Sequence, residues 1–267
     1  MQETEITVQV FNTKDDLFKQ LKNLGYNIVE NFQLNDWYFT KLNDISNMSL
    51  YKQHKKVYNI PRYKKMINLK YIKKEDQRRV VSLLKRLKHH SPETYLHSLD
   101  IAETCVTIGK ACGLNNKQLQ VLYTSGCLHD IGKIAVSTRL LHKKGCTEAE
   151  VNYIKLTHVN WTYMILKNHF DSEIVNTCYH HHERLNGKGY PQGLTAEQLS
   201  EYDKIIAVSD VISALILDRS YREHSFSDNE AIKIINLMAK NNELDSRYVK
   251  IAEKKILNYN SDLDINK

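Results

Sequence analysis

The sequence is poor in the two residues that most often interrupt regular secondary structure, with 9 glycines and 3 prolines among 267 residues. It has no apolar run long enough to span a membrane, which argues against a transmembrane protein. Its five cysteines are odd in number and form no CxxC pair, which argues against a disulfide framework. Hydrophobic residues make up 42% of the chain, so a sizeable core can form without disulfides.

Two features bear on the cellular setting. The first ten residues, MQETEITVQV, are acidic and polar, unlike a signal peptide. Together with cysteines that resemble reduced, buried thiols, they predict a cytoplasmic protein. Residues 51–90 hold fourteen Lys and Arg against only Glu75 and Asp76. No aromatic RNA-binding signature accompanies these charges, so we interpret the stretch as a solvated basic helix and do not expect nucleic-acid binding.

The hydrophobic pattern changes along the chain. Residues 1–65 contain strand-like alternation at 5–10 and a helical pattern at 14–24, and they predict a small α+β unit to which we assign no role. A basic connecting helix is expected over 66–90, followed by an all-helical domain over 91–267. Within that domain, the predicted helices cover these ranges: 92–112, 116–129, 147–169, 171–182, 201–218 and 228–241.

The stretch HHERLNGKGYPQGL, residues 181–194, concentrates three of the nine glycines and one of the three prolines. It cannot lie inside a helix, because glycine and proline disfavour helix interiors. Two adjacent histidines directly before a glycine-rich loop are typical of metal ligands at a helix end. The loop would then close over whatever the metals bind.

Other candidate ligands occur elsewhere in the helical region. His129 and Asp130, in CLHDIGKI, can offer a nitrogen and an oxygen ligand to one metal or bridge two metals. Glu93 and His97 are four residues apart and therefore share a helix face. Asp210 lies in the apolar helix IIAVSDVISAL, where a carboxylate must be paired or metal-bound. Each residue alone has an ordinary structural explanation, but the set as a whole favours a metal centre.

These motifs together resemble the HD-GYP family, over about residues 80–255. This family is a branch of the HD-domain metal-dependent phosphohydrolases, and it hydrolyses cyclic dinucleotides, chiefly cyclic di-GMP. The resemblance implies a mainly α, HD-type helical bundle with two or three divalent metal ions, iron or manganese. It implies these metal ligands: Glu93 (the extra ligand of trinuclear members), His97, His129, Asp130, His158, His181, His182 and Asp210.

The resemblance also implies a substrate-binding side of the site. Lys133 would contact a phosphate, Arg219 and Arg222 would clamp phosphates, and the loop would shape the cleft through these residues: Gly187, Gly189, Tyr190 and Pro191. With Asp130 and Lys133 as the catalytic pair, the expected reaction is in-line attack of a metal-bridging hydroxide on phosphorus. The product would be a linear dinucleotide, GMP, or both.

Three positions depart from the family pattern without removing a ligand. Asn186 stands where aspartate is common, Ser137 where proline is common, and Thr162 where glycine is usual. We expect effects on loop rigidity and substrate preference. Two alternatives stay open: an HD hydrolase acting on another cyclic dinucleotide, such as cyclic GMP-AMP, or on a nucleotide, and a non-catalytic dinucleotide sensor or scaffold. The oligomeric state is open too, with a homodimer among the options.

Overall fold

The computed structural model describes residues 66–217 and 226–254, and this part of the chain is mainly helical, as expected. Its α-helices are α1 (Gln77–His90), α2 (Pro92–Ala111), α3 (Asn116–Leu128), α4 (Thr138–Leu141), α5 (Glu148–Leu166), α6 (Ser172–Tyr179), α7 (Glu201–Ile216) and α8 (Asp228–Lys240). Short 3-10 helices occur at Leu69–Tyr71 and Ile131–Ala135. Residues 246–254 are also helical. The α+β unit expected over 1–65 lies outside the described residues, as do Arg219 and Arg222.

Side chains near the helix ends explain where the helices begin. The Ser91 hydroxyl accepts the backbone N–H of Thr94, and Pro92 occupies the first position of α2. At α7, Ser200 and Asp203 cap each other's backbone N–H groups. These caps satisfy donors that a helix leaves unpaired in its first turn.

Helix α1 presents one apolar face and one basic face. Val80, Leu84 and Leu87 are fully buried, and their spacing places them on one side of the helix. Arg78 and Lys85 project from the exposed side. The helix begins at Gln77, so residues 66–76 do not belong to it, and it packs against α2 and the 3-10 helix at Ile131–Ala135. The division of the chain at 65 and 90 stays a prediction.

The core lies between α2, α3 and α7, which pack against one another. Ile108 of α2, Leu122 of α3 and Val208 of α7 are fully buried there. Helix α6 packs against α3, α5 and α7, so it connects α5 to the helices of the core. Within the described residues, no helix combines the length and the apolar character needed to cross a membrane.

The helix predicted over 171–182 is shorter than expected. It ends at Tyr179, and residues 180–182 form the turn that follows. His181 and His182 therefore lie beyond the end of the helix. Their rings contact those of His129 and His158, which come from neighbouring segments. The sequence pattern could not show this, because two histidines are compatible with either a last helical turn or a loop.

Candidate metal centre

Seven of the eight predicted metal ligands converge at one place between the helices. They come from the middle of α2, the end of α3, the middle of α5, the turn after α6 and the middle of α7. All are buried except His182, which is partly exposed. The residues, in chain order, are His97, His129, Asp130, His158, His181, His182 and Asp210.

These residues form two groups with the spacing of a metal site. Nitrogen and oxygen atoms of His97, His129 and Asp130 all lie within 4.8 Å of one another. The second group consists of His158, His181 and His182, whose ring nitrogens meet the same limit. We call them the first triad and the second triad.

Asp130 connects the two triads through its two carboxylate oxygens. Its Oδ2 lies 3.3 Å from His129 Nε2 and 3.9 Å from His97 Nε2. Its Oδ1 lies 3.7 Å from His158 Nε2 and 3.9 Å from His181 Nε2. One oxygen therefore faces each triad, which is the arrangement that lets a carboxylate bridge two cations.

Asp210 makes a second connection between the triads. Its Oδ1 lies 3.0 Å from His97 Nε2, and its Oδ2 lies 3.4 Å from His182 Nδ1. Asp130, at the end of α3, and Asp210, on α7, therefore each contact histidines of both triads.

Backbone carbonyl groups orient three of the histidine rings. Nδ1 of His129 lies 2.9 Å from the carbonyl oxygen of Gly126. Nδ1 of His158 lies 2.7 Å from that of Ile154, and Nδ1 of His181 lies 2.6 Å from that of Cys178. A carbonyl oxygen only accepts, so each Nδ1 carries the proton. In the neutral ring, the lone pair of Nε2 is then directed into the site, as metal-binding histidines require.

Burial keeps the rings of the second triad neutral. It lowers the pKa of His158 to about 4 and holds the pKa values of His181 and His182 well below the ordinary range. Neutral imidazole is the form that binds metal, so these three rings do not have to lose a proton first.

The carboxylates are ionised despite their burial. For Asp130, burial opposes ionisation, but the nearby charge of Lys133 holds its pKa well below the usual value. For Asp210, burial is outweighed by the hydrogen bond from His97, so its pKa is also well below the usual value. Two anionic groups among imidazoles make this centre attractive to divalent cations.

Three buried atoms in the centre have no hydrogen-bond partner: His129 Nε2, His181 Nε2 and Asp130 Oδ1. Buried polar atoms are almost always paired, since leaving one unpaired costs about 1–3 kcal/mol. All three belong to the two triads and face inward. A mixed nitrogen and oxygen donor set of this kind fits divalent transition metals.

The predicted substrate side begins directly at the triads. Lys133 Nζ lies 2.6 Å from Asp130 Oδ2. The Tyr190 ring packs on His182, with 4.6 Å between ring centroids. Lys155 Nζ lies 5.7 Å from the centroid of the same tyrosine ring. Through Tyr190, the loop that contains Gly187, Gly189 and Pro191 therefore contacts His182 of the second triad.

Glu93 is not part of either triad, although it lies on α2 one turn before His97. Its carboxylate lies 3.7 Å from Nδ1 of His142. Glu93 as a metal ligand stays a prediction. The phosphate-clamp prediction for Arg219 and Arg222 falls outside the described residues.

Two supporting residues were missed or undervalued at the sequence level. Ser213 Oγ lies 2.9 Å from His97 Nδ1 and orients that ring. Its spacing of three residues from Asp210 on α7 is a signal that could have identified it. Thr162, noted only as a departure from the family pattern, accepts the Gly132 N–H at 2.9 Å and donates to the His129 carbonyl at 3.0 Å.

Comparisons with known proteins identify the family. A family model described as HD domain matches residues 64–248. The 3'3'-cGAMP-specific phosphodiesterase 1 of Vibrio cholerae is 36% identical over 155 residues, which cover 58% of this chain and 36% of that protein. A cyclic di-GMP phosphodiesterase of Pseudomonas aeruginosa is 35% identical over 152 residues, covering 56% and 36%. The matched region thus spans about a third of these curated relatives.

Solved structures share the fold. The HD domain of the Listeria monocytogenes phosphodiesterase PgpH, in complex with cyclic-di-AMP, matches with a TM-score of 0.52 and 18% identity, covering 68% of this chain and 96% of that one. Bd1817 of Bdellovibrio bacteriovorus, described as an HDG"Y"P protein, matches with a TM-score of 0.51 and 15% identity, covering 91% and 78%. At these identities the likeness concerns the fold alone.

Proposed function

The chain belongs to the HD domain family, and on that premise we propose that it is a metal-dependent phosphodiesterase that hydrolyses a cyclic dinucleotide, with cyclic di-GMP as its substrate. The observation that carries the proposal is the pair of triads joined by Asp130, with three buried donor atoms left unpaired. A buried cluster of this kind is costly unless cations complete it. Relatives that share the region act on cyclic di-GMP or 3'3'-cGAMP by their names.

In this proposal, each triad would hold one cation, and Asp130, which contacts both triads, would contribute to both sites. His97 and His129 would serve the first cation, with Asp210 beside them. The second cation would be bound by His158, His181 and His182. Glu93 is proposed for a third cation, and iron or manganese fits the donor set.

Bound divalent cations would lower the pKa of water and offset negative charge that develops on the phosphate. The protein's own contribution begins with Lys133, whose ammonium group has three donors and uses one of them on Asp130. Another donor can reach a phosphate oxygen of the substrate. Tyr190 covers His182 and limits the space above the second triad, and Gly187, Gly189 and Pro191 are proposed to shape the substrate cleft with it. Arg219 and Arg222 are proposed to hold the phosphates.

The test is hydrolysis of cyclic di-GMP by protein purified anaerobically and loaded separately with Fe(II) or Mn(II). We expect turnover in the wild type and none in Asp130→Ala, with metal content measured in both. His169→Ala, which removes an exposed histidine, is the matched control and should behave like the wild type. Product chromatography then shows whether one or two phosphodiester bonds are cut.

A second substrate has a specific observation in its favour, because a relative at 36% identity is named for 3'3'-cGAMP. The ratio of kcat/KM for the two dinucleotides decides between them. Full metal loading without turnover of either would refute the enzymatic proposal. Tight binding without turnover would support a sensor.

A further inference from the structure

Glu183, which directly follows the two histidines of the loop motif, is a buried carboxylate outside both triads. Its side chain is 1% exposed. Oε1 accepts the backbone N–H groups of Gln192 at 2.6 Å and Gly193 at 3.1 Å. Oε2 accepts the N–H of Leu194 at 3.0 Å. Three consecutive backbone donors therefore bind one side chain, which fixes the end of the loop to its beginning.

The middle of the loop is held against the same place. A Cβ at Gly189 would lie 2.4 Å from the Glu183 Cα and from the Arg184 nitrogen, so only glycine allows this approach. The Tyr190 N–H then donates to the His182 carbonyl at 3.2 Å. The loop thus folds back over the residues that precede it.

This folding decides where the Tyr190 side chain lies. Tyr190 is located between Gly189, packed on the Glu183 backbone, and the Gln192–Leu194 segment, bound to the Glu183 carboxylate. Its ring consequently rests on His182. The Nε2 atom of His182 in turn lies 3.1 Å from Nε2 of His158, inside the second triad.

We propose that Glu183 is a positioning residue for substrate binding: its carboxylate holds the loop so that Tyr190 forms one wall of the cleft above the second triad. This inference rests on the proposed function, because it names the residue that shapes the same site. Glu183 is not a metal ligand in this arrangement, since both of its oxygens are engaged by loop N–H groups.

The test variant is Glu183→Gln, which keeps the size of the side chain. Its amide has a single acceptor oxygen, so at least one of the three N–H groups meets an NH₂ donor instead. The matched control is Glu197→Gln, which removes the same charge from an exposed position where the carboxylate accepts from the Thr195 hydroxyl. Both variants are prepared as full chains with bound Mn(II).

Three measurements are made on each variant. Hydrogen exchange should accelerate at the amides of 192–194 in Glu183→Gln, whether metal is bound or removed. The KM for cyclic di-GMP should rise about tenfold, the loss expected for a broken charge-assisted contact. Manganese content and hydrolysis of bis(p-nitrophenyl) phosphate, which is too small to need the loop, should stay within about twofold of wild type.

Other outcomes would overturn the proposal. Loss of manganese together with both activities would make Glu183 a support of the metal centre. Faster exchange with unchanged KM would show a loop that does not serve the substrate. Unchanged exchange would refute the clamp itself.

A separate result would refute the proposed function: a wild type that cleaves bis(p-nitrophenyl) phosphate but neither binds nor cleaves cyclic di-GMP or cyclic GMP-AMP. The substrate role of Glu183 would then fall with it. The exchange data would still decide whether Glu183 holds the loop.

Discussion

Lys133 lies at the boundary between the metal centre and solvent. Its side chain is 19% exposed, whereas that of Asp130, its ion-pair partner, is 2% exposed. The ammonium group can therefore reach a phosphate that enters from outside, while the carboxylate remains among the histidines. This position suits a group that stabilises charge on the substrate and does not bind metal.

We predict that Lys133→Met keeps the metal and loses turnover. Methionine retains an apolar stem of similar length but removes the positive charge, so kcat/KM for cyclic di-GMP should fall about 100-fold, the usual loss for one electrostatic contact in an active site. Metal content by mass spectrometry should equal that of the wild type. Lys143→Met, which breaks a surface pair with Glu150, is the control and should keep full activity. Loss of metal in Lys133→Met would contradict this role.

At the scale of elements, the 3-10 helix that follows Asp130 packs directly on α5. A Cβ at Gly132 would lie 1.9 Å from the His158 carbonyl oxygen, so the two backbones touch. Thr162 joins them by bonding both the Gly132 N–H and the His129 carbonyl. The Thr162 side chain of α5 thereby holds His129 and Gly132 in place beside His158, which lies on the same helix.

The residue at 162 should therefore matter for stability. Thr162→Val keeps the shape but leaves a buried N–H and a buried carbonyl without their partner, so we expect a loss of about 2 kcal/mol in the free energy of unfolding. Thr162→Ser should retain most of the stability. Urea denaturation of the metal-free chain measures both. The control is Thr107→Val, at an exposed position where the hydroxyl bonds the Glu103 carbonyl. Equal stability of the Val and Ser variants at 162 would contradict this account.

At the scale of the whole domain, the centre joins segments that are distant in sequence. His97 and Asp210 are 113 residues apart yet lie in hydrogen-bonding contact. The proposed ligands come together in the folded state only, since the unfolded chain cannot hold them in place. Cations that bind there must therefore stabilise the fold through mass action.

Metal should raise the melting temperature, and the gain in stability should grow with the logarithm of the free metal concentration relative to the Kd. At a free Mn(II) concentration about 100 times the Kd, the gain is about 2.7 kcal/mol, or roughly 5–10 °C for a domain of this size. Scanning calorimetry with chelator and with graded Mn(II) measures the shift. His181→Ala should lose most of the shift, whereas His169→Ala should keep it. An equal shift in both variants would place metal binding elsewhere.

Local chemistry made much of the fold predictable. The predicted starts of α2 at 92 and of α7 at 201 are confirmed. Caps and amphipathic faces depend on residues within one or two turns, so such boundaries can be read from the local sequence. The end of α6 was wrong by three residues. Nothing near His180 distinguishes a last helical turn from a loop, and the packing of the rings against α3 and α5 decides between them.

The candidate metal centre was likewise predictable in part. Seven of the eight residues that the family resemblance implied as ligands do lie together. The donor chemistry of histidine and aspartate is visible in the residues themselves. Glu93 does not join the triads. Its place on a helix could be predicted, but its contact with His142 could not. That contact depends on where the segment that follows α4 runs, which the local sequence does not determine.

By itself, the sequence determined the helical class, several helix starts and the donor atoms available to a metal, because these depend on side-chain chemistry and on short-range periodicity. Only the tertiary structure decided that one oxygen of Asp130 faces each triad, that Thr162 bridges Gly132 and His129, and that Glu183 binds the far end of its own loop. These contacts arise from the packing of helices that are remote in the chain or from the return of a loop on itself. Buried polar groups such as the Glu183 carboxylate and the Thr162 hydroxyl are stable there because the fold brings hydrogen-bond partners next to them.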